Sequence, residues 1–82
     1  MKVKIKFETF DQVKDFFNEI NMIESDAIIR TVDKRYAVDA KSLMGIFSLD
    51  LSNDLMLEVY GDETYFAEKI KNMSFFVETM EV

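Results

Sequence analysis

Ser42 is the side chain in this sequence that most directly suggests chemistry, because a short apolar run follows it at once. A serine at the start of a helix can act as the N-cap, accepting a hydrogen bond from a backbone N–H of the first turn. The same hydroxyl is a candidate for regulatory phosphorylation, which would add about two negative charges at the positive end of the helix. Most serines at helix starts are caps and nothing more, so the residue type alone favours the plain cap.

The run after Ser42 is a candidate binding surface. A short helix cannot bury all of its apolar residues against one sheet, and these are Leu43, Met44, Ile46, Phe47, Leu49 and Leu51. A contiguous apolar patch left outside is typical of a contact site for another protein. Leu43, Met44 and Phe47 are the group expected there, because Met44 and Phe47 are three residues apart and share a helix face. The alternative is that the adjoining loop covers this face and makes all six residues core.

Enzymatic chemistry is the weaker interpretation. The chain has no histidine and no cysteine, so the usual nucleophile–base pairs, disulfides and common zinc sites lack their residues. Neighbouring acids, such as Asp62 with Glu63 and Glu24 with Asp26, are more typical of helix caps than of paired catalytic carboxylates. A glycine-rich phosphate loop and an Asp-x-Asp-x-Asp-Gly calcium spacing are both missing. We therefore expect no catalytic residue, no cofactor and no metal; a small carboxylate-based enzyme is the less favoured alternative.

Composition and charge narrow the class of protein. The chain has 82 residues, of which 49% are hydrophobic and eight are phenylalanine, and we expect a single domain over 1–82 with a core that needs no disulfide. A net charge of −6 repels phosphate backbones, which argues against a nucleic-acid partner. The N-terminus lacks the continuous apolar stretch of a signal peptide, and the run after Ser42 is too short to span a membrane. These features predict a cytoplasmic protein with no membrane partner.

The first third of the chain predicts a strand followed by a helix. Val3, Ile5 and Phe7 alternate with lysines, which predicts a strand with one buried face, and the lysines would discourage pairing at a free edge. The Thr9-x-x-Gln12 spacing predicts a capping box. The inner stripe of the helix that follows would comprise Phe10, Val13, Phe16, Phe17 and Ile20.

The remainder predicts three further strands and two helices. Residues 27–32 and 36–40 form a hairpin, the segment from Ser42 to about Leu49 is a helix, and 55–60 is a strand. Asp62 would cap a last helix whose inner stripe is Phe66, Ile70, Met73 and Val77. The order β-α-β-β-α-β-α is typical of a two-layer α+β domain, with helices on one face of a largely antiparallel sheet.

The segment Val38-Asp39-Ala40-Lys41-Ser42-Leu43-Met44-Gly45-Ile46-Phe47-Ser48-Leu49 resembles the regulatory-serine region of HPr, the small phosphocarrier of the bacterial phosphotransferase system. Family members carry Lys-Ser-Ile-Met-Gly or near variants there. Glu24-Ser25-Asp26 and Gly61-Asp62-Glu63 also fit the family pattern. The resemblance implies an open-faced β-sandwich, with a four-stranded antiparallel sheet in the order 1-4-2-3 and three helices on one face.

The resemblance fails at the family's histidine loop. A typical HPr carries Gly-Leu-His-Ala-Arg-Pro between the first strand and first helix, and its histidine takes phosphate from enzyme I. Here the join reads Glu8-Thr9-Phe10-Asp11, and no histidine occurs anywhere in the chain. Phosphate transfer through histidine is therefore excluded by composition.

What the resemblance still implies is a regulatory role. Ser42 matches the serine phosphorylated by HPr kinase, and Leu43, Met44 and Phe47 match the positions that contact partners. The implied function is a non-catalytic protein-interaction module, with HPr kinase/phosphorylase or a transcriptional regulator as its partner. The alternative is a degenerate HPr-fold protein that self-associates, for example as a homodimer, and has no signalling role.

Overall fold

A five-stranded sheet and three helices make up the computed structural model, which describes residues 1–80. The predicted domain end at residue 82 lies outside the described part. The elements in chain order are β1 (Lys2–Ile5), α1 (Phe10–Ile20), β2 (Asp26–Thr31), β3 (Ala37–Asp39), α2 (Leu43–Phe47), β4 (Leu55–Tyr60), α3 (Thr64–Ile70) and β5 (Phe76–Thr79). The α+β class and the helices on one face agree with prediction.

The sheet order is β3-β2-β4-β1-β5, and every neighbouring pair is antiparallel. Its first four strands have the predicted order 1-4-2-3, read from the other end. Val3 on β1 and Ile29 on β2 both lie opposite Leu57 on β4. All three side chains are buried, so the alternation of strand residues builds one apolar face for the helices to cover.

The fifth strand corrects the predicted last helix. Phe66 and Ile70 are buried on α3 as expected, but the helix ends at Ile70 and Val77 lies exposed on β5. Asn72 and Ser74 favour turns over helix interiors, and the aromatic and β-branched residues after them favour an extended chain. The four-stranded sheet expected from the resemblance thus gains a strand.

The lysines of β1 were predicted to discourage pairing at a free edge. This is wrong, because β1 pairs with β5 and that edge is not free. The backbone N–H of Lys6 donates to the carbonyl of Phe75, and that of Met80 donates to the carbonyl of Lys2. Lys4 and Glu78 also form an ion pair across the two strands, at 3.8 Å. The first strand is therefore an inner strand.

The predicted capping box of α1 is confirmed. The Gln12 N–H donates to Thr9 Oγ1 at 3.2 Å, and the Thr9 N–H donates to Gln12 Oε1 at 3.1 Å. Val13, Phe16 and Ile20 are buried as predicted.

Phe10, however, is 61% exposed, so its place in the predicted stripe is wrong. At 100° per residue, Phe10 lies about 90° from the centre of the stripe that Val13, Phe16 and Ile20 form. It is also the first residue of the helix. Its ring therefore points away from the core.

Candidate functional site

Ser42 is the N-cap of α2, as predicted. Its Oγ accepts a hydrogen bond from the Gly45 N–H at 3.1 Å, and its backbone is extended, at φ −104° and ψ 110°. Its own N–H donates to the carbonyl of Asp39 at 3.0 Å, which connects β3 to the helix. The side chain is half-buried and lies at the edge of the apolar run.

Lys41, the basic residue before Ser42, is anchored elsewhere. Its Nζ donates to the carbonyl of Ile23 at 2.7 Å, and its N–H donates to the Asp39 carboxylate at 2.9 Å. The lysine therefore links the start of α2 to the connection between α1 and β2 by a hydrogen bond.

The apolar run divides into an inner and an outer set. Ile46 is fully buried and Leu49 is 8% exposed, so these two hold α2 to the core. Leu43, Met44 and Phe47 are 37%, 86% and 45% exposed. The adjoining loop does not cover them, which answers the question that spacing alone left open.

Phe10 enlarges this exposed set, although it was predicted to belong to the buried stripe of α1. Its ring stacks on that of Phe47, with centroids 5.8 Å apart and planes 8° from parallel. The pair joins the first residue of α1 to the last residue of α2. We call Phe10, Leu43, Met44 and Phe47 the α1–α2 surface. The helical angle of Phe10 relative to its buried neighbours was the signal in the sequence that could have revealed it.

Asp62 and Glu63, one of the acidic pairs considered for catalysis, contribute to loop structure, and Asp26 of the other pair is the first residue of β2. The Ser25 hydroxyl and N–H donate to Glu63 Oε2 at 2.6 and 3.1 Å, and these bonds lower the pKa of the Glu63 carboxyl. Gly61 permits this approach, because a Cβ there would lie 2.8 Å from Ser25 Cβ. The family-like segments around Ser25 and Gly61 are thus joined directly in the fold.

Asp62 was predicted to cap α3, and this is wrong. The N-cap position belongs to Glu63, which makes no side-chain bond to the helix because its carboxylate is engaged by Ser25. Asp62 accepts the Thr64 hydroxyl at 3.0 Å instead.

No group of three or more acidic side chains within residues 1–80 is arranged to hold a metal ion. Over the same residues, none of the helices combines the length and the apolar character that a membrane crossing needs.

Replacing Ser42 with alanine is expected to lower the free energy of unfolding by about 1 kcal/mol, because the Gly45 N–H loses its acceptor. Ser42→Asp, which keeps an acceptor at the cap, should stay within a few tenths of the wild-type value. Urea unfolding followed by circular dichroism measures both. Equal stability of wild type and Ser42→Ala would show that the cap contributes nothing.

Solved HPr structures resemble this chain over most of its length. HPr-C-His from Thermoanaerobacter tengcongensis superposes with a TM-score of 0.65 at 28% sequence identity, covering 84% of this chain and 81% of that one. The phosphocarrier protein HPr from Bacillus anthracis str. Ames gives a TM-score of 0.65 at 24% identity, with coverage of 85% and 87%. No protein-family model and no curated protein matches the sequence. The fold is therefore HPr-like, and it relates this chain to the phosphocarrier proteins.

Proposed function

We propose that this chain is a non-catalytic, single-domain HPr-like module that binds a protein partner in the cytoplasm through the α1–α2 surface. The observation that carries the proposal is the exposed stack of Phe10 on Phe47, continuous with exposed Met44 and Leu43 on the same helix. A chain without histidine cannot carry phosphate as HPr does, so binding is the activity that its family-like segment still supports.

Two properties of the α1–α2 surface favour a protein partner, namely its exposed apolar area and its rigidity. Four large apolar side chains remain in water on two adjacent helix ends, and covering them would release ordered solvent. The surface is also preorganised, because Ile46 anchors α2 from below and the Ser42 cap fixes its first turn. Binding a partner should therefore cost this module little conformational entropy.

Regulation would act through Ser42. A phosphate there would add about two negative charges beside exposed Leu43, at the margin of the apolar surface. A partner that buries this margin would be disfavoured, whereas one with arginine or lysine opposite Ser42 would be favoured. The resemblance to HPr suggests an HPr kinase/phosphorylase as the modifying enzyme and a transcriptional regulator as the partner.

Affinity capture with matched methionine variants tests the surface. Met44 is 86% exposed on α2, and Met22 is 76% exposed after α1, so Met44→Asp and Met22→Asp make the same change inside and outside the surface. Immobilised wild type and Met22→Asp should retain the same protein from an extract of the source cells, and Met44→Asp should lose it. Equal retention by all three baits would refute the proposal.

Phosphorylation is tested separately, by incubation with an HPr kinase and ATP followed by intact-mass measurement. The expected result is a gain of one phosphoryl group by the wild type and none by Ser42→Ala. An unmodified wild type, beside an HPr that is modified in the same reaction, would remove Ser42 regulation from the proposal.

Self-association is the second candidate, because two copies could cover their Phe10–Phe47 stacks against each other. Light scattering at several concentrations distinguishes it. A stable dimer that Met44→Asp dissociates and Met22→Asp does not would favour this candidate over a separate partner.

A further inference from the structure

We infer that the groove between the β2–β3 hairpin and the α2–β4 loop receives an arginine side chain of the partner that binds the α1–α2 surface. The groove has a volume of about 730 Å³ and is open to solvent. This inference rests on the proposed function for the identity of the partner, and it adds the chemistry of the segment that the partner presents.

Apolar side chains from both sides form the walls of the groove. Val32 and Tyr36 come from the hairpin, Leu49 comes from the α2–β4 loop, and Leu55 is the first residue of β4. Leu49 and Leu55 are buried, but Tyr36 is 62% exposed and Val32 is 48% exposed. The ring of Tyr36 is therefore accessible to a flat group that enters the groove.

Carboxylates supply the charged part of the lining. Asp33, Asp50 and Asp54 line the groove, and none of its described lining residues is a lysine or arginine. The charged lining residues are therefore all negative, in a chain whose net charge is already −6, and the cations Lys34 and Arg35, which follow Asp33 in the turn, are not among them.

Local hydrogen bonds hold two of these carboxylates in place. Asp50 Oδ1 accepts the hydroxyl and N–H of Ser52, at 2.5 and 3.0 Å, and these bonds lower the pKa of its carboxyl. Asp33 Oδ1 accepts the Thr31 hydroxyl at 2.6 Å and the Arg35 N–H at 3.0 Å, which lowers its pKa in the same way. Both are thus ionised at neutral pH. Asp50 Oδ2 also accepts an Asn53 side-chain N–H at 3.1 Å, and the Oδ2 atoms of Asp50 and Asp33 keep lone pairs for a ligand.

An arginine matches this combination better than other side chains do. Its planar guanidinium can stack on Tyr36 while its N–H groups donate to carboxylates, and its methylene stem suits the apolar walls. An acidic segment would be repelled, and a purely apolar one would leave the carboxylates uncompensated.

The groove lies next to the α1–α2 surface, because its lining includes the residue bonded in sequence to Phe47. Ser48 and Leu49 line the groove, and they follow Phe47 directly in the chain. A partner segment that places apolar residues over Phe47 therefore brings its next side chains to the mouth of the groove. This proximity favours an occupant that belongs to the same partner.

Titration of the ¹⁵N-labelled protein with two short peptides tests the inference without the partner. The probes are acetyl-Leu-Arg-Leu-amide and its neutral match, acetyl-Leu-Gln-Leu-amide. The arginine peptide should shift the backbone amides of Val32, Tyr36, Leu49 and Asn53, and should bind about fivefold more tightly than the glutamine peptide. Raising the salt concentration should remove that difference.

Variants matched in net charge assign the effect to the groove. The double variant Asp50→Asn with Asp54→Asn should weaken the arginine peptide about fivefold, and asparagine at position 50 can still accept the Ser52 N–H. Asp15→Asn with Glu68→Gln removes two exposed carboxylates elsewhere and should leave binding within about twofold of wild type. Spectra of the free variants verify that both are folded.

Equal affinity for the two peptides, or shifts confined to the α1–α2 surface, would overturn the inference and leave the proposed function standing. Failure of the Met44→Asp capture experiment would remove the proposed surface without changing the peptide result. The two failures are therefore distinguishable.

Discussion

Phe47→Asp is expected to weaken partner binding at least about tenfold, because it puts a carboxylate in the centre of the α1–α2 surface. Phe47 is 45% exposed, and its ring on α2 stacks on the ring of Phe10 on α1. In a bound state that covers this ring, the aspartate would have to lose its water without gaining a partner. The stack with Phe10 would be lost as well.

Titration calorimetry with the captured partner measures this effect, and Tyr65→Asp is the matched control. Tyr65 is an aromatic residue on α3 that is 76% exposed, so its substitution makes the same chemical change on another helix. Tyr65→Asp should bind within about twofold of wild type. Equal weakening by both substitutions would mean that added charge, and not the α1–α2 surface, controls the affinity.

The contribution of the stack itself can be isolated with leucine. Phe10→Leu and Phe47→Leu keep apolar volume but remove the paired rings, and the coupling free energy of the double-mutant cycle is expected to be about 0.5–1.5 kcal/mol. The cycle applies to partner binding and to unfolding, so it separates the role of the stack in the interface from its role in the free protein.

Local signals in the sequence were sufficient to predict the elements that position the site. The Thr9–Gln12 capping box and the Ser42 cap each depend on residues within one helical turn, so spacing alone predicts them. The strand at 55–60 was predicted to the residue, because it is bounded by the polar turn before Leu55 and by Gly61. These features need no knowledge of distant contacts.

The rest depended on contacts between residues far apart in the chain. The exposure of Leu43 and Met44 depends on which residues the loops cover. The ring stack of Phe10 on Phe47 joins positions that are 37 residues apart in the chain. The pattern of Phe66, Ile70, Met73 and Val77 follows a helix, yet β1 offers the last segment a free edge to pair with. Periodicity cannot weigh such a tertiary alternative against a helix.

The environment of Glu58, on the sheet face opposite the helices, also could not be predicted from the sequence. Its place in the strand at 55–60 puts it on that uncovered face, where a glutamate is ordinarily exposed. Yet Glu58 is only 6% exposed, and the long side chains of Arg30 and Tyr60 contact its carboxylate. Its Oε2 accepts the Arg30 Nε–H at 2.6 Å, and its Oε1 accepts the Tyr60 hydroxyl at 2.7 Å.

Removing this carboxylate with Glu58→Ala is expected to lower the free energy of unfolding by about 2–3 kcal/mol at neutral pH. The Arg30 guanidinium and the Tyr60 hydroxyl would each lose a short hydrogen bond within a network that is partly shielded from water. Glu78→Ala is the matched control, since Glu78 also lies beside a cation on the sheet but is 58% exposed. Its loss should cost less than about 1 kcal/mol in the same urea titration.

The network also predicts how stability depends on pH. The Tyr60 hydroxyl, followed by Arg30, lowers the pKa of the Glu58 carboxyl in the folded protein relative to its usual value. A carboxyl whose folded pKa is lowered contributes its full stabilisation above the unfolded pKa of about 4.3, and loses it as pH falls through the folded value. The stability difference between wild type and Glu58→Gln should therefore be largest near neutral pH and shrink below about pH 4. A difference that stays constant from pH 7 to pH 3 would mean that Glu58 stabilises the sheet by packing and not by its charge.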